Sequence, residues 1–172
     1  MSIMRERNCR SPASGSRGAA LVELSLVLVL LLMLVMGIME FGILFRNYLD
    51  VSQSVIAGCR SASLGSSTGV VTNRITNTAT ALGLDSQRLT STTLQYRTYT
   101  KSTGAWSGWI TLGDAASGYN NAPSDASTDS QIRIAVNYTY PLATGTFLSP
   151  VIGTGGNVTL SGTCAMRREQ TP

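Results

Sequence analysis

Three cysteines and no histidine limit the chemistry open to this 172-residue chain. Without an imidazole, a serine or cysteine nucleophile lacks its usual general base. No Cys-x-x-Cys pair supplies a zinc site. Asp114, Asp125 and Asp129 share one polar stretch but not the spacing of a calcium loop, and they read as solvated carboxylates. Residues 153–156 are glycine-rich yet lack the Lys-Ser/Thr of a phosphate loop, and they read as a turn. Trp106 and Trp109 are flat rings on which a sugar can stack, although packing on a sheet is their commoner use. Asn137-Tyr138-Thr139 and Asn157-Val158-Thr159 match the glycosylation pattern but fall in expected strands. No catalytic residue, metal or cofactor is expected from this inventory.

The residue that stands out is Glu23. It sits within an apolar run, residues 19–45, whose only other charged residue is Glu40, and residues 24–39 carry none. A bilayer core about 30 Å thick needs roughly 20 helical residues at about 1.5 Å each, so the run is long enough to span it. A buried helix of a soluble core shows a polar face, and this run has none over four turns. A carboxylate inside such a segment costs free energy unless it is paired, which makes it a functional candidate by default. Glu40 falls about 32 Å along the helix from Ala19. There it reads as an interfacial anchor with Arg46 and Tyr48, or as a contact to a partner helix together with Phe41.

Charge sets the orientation. Arg5, Arg7, Arg10 and Arg17 precede the apolar run against one acid, Glu6, while Arg46 and Asp50 roughly cancel beyond it. The excess of arginine puts the N-terminus in the cytoplasm and residue 46 onward outside. The net charge of +4 is therefore not a nucleic-acid footprint, since no basic stripe interleaved with aromatics follows the run. The run is also longer than the roughly 7–15-residue apolar core of a cleaved secretory signal.

The junction reads SRGAALVELSLVLVL, a glycine ending a basic leader with a glutamate five positions later. This pattern resembles the type IV pilin class. The resemblance implies cleavage by a prepilin peptidase between Gly18 and Ala19, retention of the apolar helix, and an assembly contact from Glu23 to the new α-amine of Ala19 on a neighbouring subunit. Residues 17–62 resemble more closely the TadE-like family of the Tad/Flp tight-adherence pilus system. The pieces that carry this are Arg17-Gly18, Val22-Glu23, the Gly37-Ile38-Met39-Glu40-Phe41-Gly42 stretch, Tyr48, and Cys59-Arg60-Ser61-Ala62. The tail Met166-Arg167-Arg168-Glu169 resembles the end of many members. Two positions depart from the family pattern: Leu24 follows the glutamate in place of an aromatic, and Val29 stands where a proline is common. Without that proline the helix is expected to be straighter.

Three segments follow: a basic leader over 1–18, a transmembrane helix over 19–45, and an exported domain over 46–172. The helix is expected to continue over 47–64 and to stop at Gly65-Ser66-Ser67, with a second helix over 70–82 stopped by Gly83. Strands are expected over 92–101, 106–112, 131–140 and 157–166. In the third, Ile132, Ile134, Val136, Tyr138 and Tyr140 share a face. In the last, Val158, Leu160, Gly162 and Cys164 do. Residues 113–129 and 143–156 read as surface loops. The fold class is α+β, a long helix followed by a small antiparallel sheet, as in pilins. On the oxidising side, Cys59 and Cys164 are candidates for a disulfide from the helix to the last strand, with two buried thiols as the other reading.

The implied role is a minor pilin or pseudopilin of a Tad-type pilus or secretion machine in the bacterial inner membrane, without catalysis. Its partners would be the prepilin peptidase, other Tad pilins and pseudopilins, the inner-membrane assembly platform and membrane lipid, with no nucleic acid. The alternative is a permanently anchored bitopic protein with a ligand-binding head.

Overall fold

The structure is a computed structural model, and it describes residues 15–125, 128–143, 145 and 156–169. The leader residues Arg5, Arg7, Arg10 and Cys9, and most of the loop expected over 143–156 and of its turn over 153–156, lie outside them. Helix α1 runs over Gly15–Ser63 and helix α2 over Thr68–Ala81. Strands β1 (Leu89–Thr100), β2 (Ala105–Trp106), β3 (Ile110–Thr111), β4 (Thr128–Pro141) and β5 (Asn157–Arg167) complete the order. All pairings are antiparallel: β2-β1-β4-β5, with β3 also on β1. The architecture is the expected α+β.

Nothing in α1 interrupts the helix: no proline occurs within it, and its three glycines in the apolar and flanking region, Gly18, Gly37 and Gly42, are helical with open space around them. It passes through the expected boundary at 45/46 without a break. Its end is chemical. Gly65 takes φ +94°, and Ser66 N–H donates to the Ser61 carbonyl while Gly65 N–H donates to that of Ala62. This is the glycine-terminated stop in which two orphan carbonyls find donors. Gly83 (φ +91°) ends α2 in the same way, through Leu84 to Ala79 and Gly83 to Thr80.

The chain divides into two compact units, Met1–Met39 and Glu40–Pro172. The described part of the first is helix. The second holds the core. Val51, Val55, Cys59 and Ala62 recur at helical spacing on α1, and Val71, Ile75 and Ala79 do so on α2; all are buried. They pack with the buried face of β4, Ile132, Ile134, Val136 and Tyr138, which alternates with period two as expected. Close packing explains two glycines. A Cβ on Gly162 would lie 3.0 Å from Val51 Cγ1, and one on Gly58 would lie well inside contact with Ile75.

Two expectations change. The strand over 106–112 is two short pieces, because Ser107 substitutes side-chain for ladder bonding: its Oγ accepts from Thr98 N–H at 2.9 Å. The stretch over 113–129 is more than a surface loop. Residues 128–129 extend β4, and Asn120 and Ala122 are buried at 4% exposure.

Candidate membrane and assembly surface

The large apolar side chains exposed between Leu21 and Phe45 each show 44–69% of their surface. No part of the most apolar stretch is buried, so this part of α1 does not serve as a core helix, unlike the part that carries Val51, Val55, Cys59 and Ala62. An unbroken apolar cylinder in water is strongly unfavourable at about 25 cal/mol per Å². Lipid or other apolar helices must cover it. Gly18 and Ala19 lie on helix at its start. Glu23, exposed on the same helix one turn after Ala19, has no partner among the described residues. Ser25 donates to the Val22 carbonyl at 2.8 Å, which hides its hydroxyl from an apolar surrounding.

Glu40 and Phe41, paired in the sequence reading, separate by exposure. Phe41 is 69% exposed, whereas Glu40 is 7% exposed and is not free. Phe41 is the member open to an external surface. Arg46 ion-pairs with Asp50 one turn on, at 3.6 Å.

Cys59 and Cys164 are brought together. Both are free thiols, Cys59 buried and Cys164 half-buried, and they share a hydrogen bond. Burial, then that hydrogen bond and the electrostatic influence of Cys164, push the Cys59 thiol far above its usual range. The folded state therefore holds a proton that the unfolded chain releases above about pH 8.5. Stability is full below that pH and falls as pH rises past it. Thermal unfolding of the chain in detergent is expected to show this decline, and Cys59→Ala should flatten it.

A polar latch, absent from the sequence reading, holds the end of α1. Asn120 donates to the carbonyls of Ala62 (2.8 Å) and Ser66 (3.1 Å), and its Oδ1 accepts from Ala122 N–H (3.3 Å) and from Arg168 (2.6 Å). All four bonding positions of the amide are used. Arg168 is 7% exposed, caps the Ala62 carbonyl, and keeps one buried Nε–H without a partner. Burial lowers its pKa. Glu169 N–H donates to the Ser63 carbonyl at 3.0 Å. A cation at a helix C-terminus meets the negative end of the helix dipole. Asp114 caps α2 through Thr68 N–H (2.6 Å) and Thr68 Oγ1 (2.9 Å), and Asp129 pairs with Arg167. Neither behaves as a solvated loop carboxylate. Among the described residues no cluster of metal-ligating side chains forms.

A bare, membrane-length apolar helix followed by a small α+β head points to the class: a single-pass membrane protein. Residues 18–60 match the family described as TadE-like protein. The match lies wholly within α1; α2 and the sheet fall outside it. No curated protein and no solved structure matches the chain.

Proposed function

We propose that the chain is a minor pilin or pseudopilin of a Tad-type machine. A prepilin peptidase cuts between Gly18 and Ala19, the apolar helix is kept, and Glu23 pairs with the α-amine of Ala19 on a neighbouring subunit. The helix packs among other pilin helices and against the inner-membrane platform, with the head exported. What carries the reading is one coincidence: the TadE-like match begins at Gly18, and Glu23, without a partner among the described residues, follows it on an uncovered apolar helix. A charge in low dielectric is tolerated when an opposite charge sits beside it, and a new N-terminus is such a charge.

The N-terminal mass of the membrane-extracted protein tests this. A mature chain beginning at Ala19, lost in Gly18→Leu, is the expected result. An intact leader, with Cys9 still present, favours the permanently anchored reading.

A further inference from the structure

The outer face of the sheet, turned away from the hydrophobic core, carries a ladder of alternating rings and guanidinium groups. Arg97 lies over Trp106 (4.5 Å to the ring centre) and over Trp109 (4.7 Å), and Arg133 lies over Trp109 (4.4 Å). Tyr99 flanks Trp106 at 5.2 Å, its plane tilted by 52°. Register puts these groups on one side: Arg97 is opposite Gln131, Arg133 is opposite Gln95, and Tyr99 is opposite Trp106. Each arginine is aimed by the glutamine it faces, Arg97 Nε to Gln131 Oε1 at 2.9 Å and Arg133 to Gln95 Oε1 at 2.6 Å.

Stacking accounts for the faces of the guanidinium groups but not for their charge. Among the described strand residues the one carboxylate on this face is Asp129, and Arg167 holds it. Arg97 and Arg133 keep N–H donors with no anion opposite them. Trp106 remains 45% exposed. Around the ladder the face carries hydroxyls and amides, with Ser161 and Thr163 exposed on β5 and Asn137 half-buried on β4. An uncompensated positive pair, a half-exposed indole and a hydroxyl-rich surround are together complementary to one chemistry.

We infer that this face binds an acidic polysaccharide of the polyuronate type. Carboxylates accept from Arg97 and Arg133, the C–H face of a sugar ring stacks on Trp106, and sugar hydroxyls bond to the amides and hydroxyls of the sheet. A single-stranded nucleic acid fits less well, because its successive bases need successive open rings and both Trp109 contacts are taken by arginine. The site does not depend on leader processing.

Full-length protein in detergent micelles, titrated with polygalacturonate, neutral dextran and oligothymidylate, tests the inference. The expected result is binding of polygalacturonate that weakens with added salt, and none of dextran. Arg133→Gln is expected to weaken it at least tenfold. Thr163→Glu, which adds a repelling charge at an exposed position without touching the ladder, should do so with an unchanged thermal transition. The inference is overturned if polygalacturonate fails to bind at low salt, if Thr163→Glu binds it as well as the parent, or if oligothymidylate is preferred.

Discussion

Replacing Asn120 with alanine is expected to destabilise the head by about 3–5 kcal/mol, measured by chemical denaturation in detergent. The cost comes from what is left behind. Without the amide, the Ala62 and Ser66 carbonyls lose donors at the end of α1, and the buried guanidinium of Arg168 loses its 2.6 Å acceptor. A buried charge stripped of its partner is costlier than a missing neutral bond. Arg168→Met is therefore expected to cost less than Asn120→Ala, since it removes the charge along with the bond and keeps much of the volume. The two substitutions share one network, so the double variant should fall well short of the sum of the singles. Additive costs would mean that Asn120 acts through the helix carbonyls alone.

What sequence reasoning reached and what it missed divide along one physical line. Alternation in Ile132, Ile134, Val136 and Tyr138, and helical spacing in Val71, Ile75 and Ala79, are local patterns that follow from which face must leave water, and they placed β4 and α2 to within a few residues. Gly65 and Gly83 declared the helix ends because a left-handed residue there suits glycine. Asn120 carries no such signature. It lies in a run of Gly, Ser, Ala and Asn that reads as solvated, and its role exists only once residues 62, 66 and 168 converge on it. The length of that stretch, with no expected element of its own, was the available hint. Trp106 and Trp109 were visible as aromatic residues on an expected strand, but the arginines between them come from β1 and β4, and only register brings the four together.

Glu23→Ala is expected to insert into membrane at least as well as the parent while losing association with other pilins at least tenfold, read by crosslinking in the native membrane. The two effects run in opposite directions for one reason. On its own chain the carboxylate is exposed on an apolar helix without a partner among the described residues, so it adds to the cost of insertion, up to about 3 kcal/mol at full depth and less near the edge. Alanine removes that cost and any anchoring value with it. A tenfold loss of association corresponds to about 1.4 kcal/mol, a modest fraction of what an opposite charge can return in a low-dielectric setting. Glu23→Gln separates charge from polarity: it keeps a hydrogen-bonding group, and it should behave like alanine if an ammonium is the partner. Association that survives both substitutions would leave Glu23 as a residue near the headgroups, with the apolar surface of α1 alone holding the assembly.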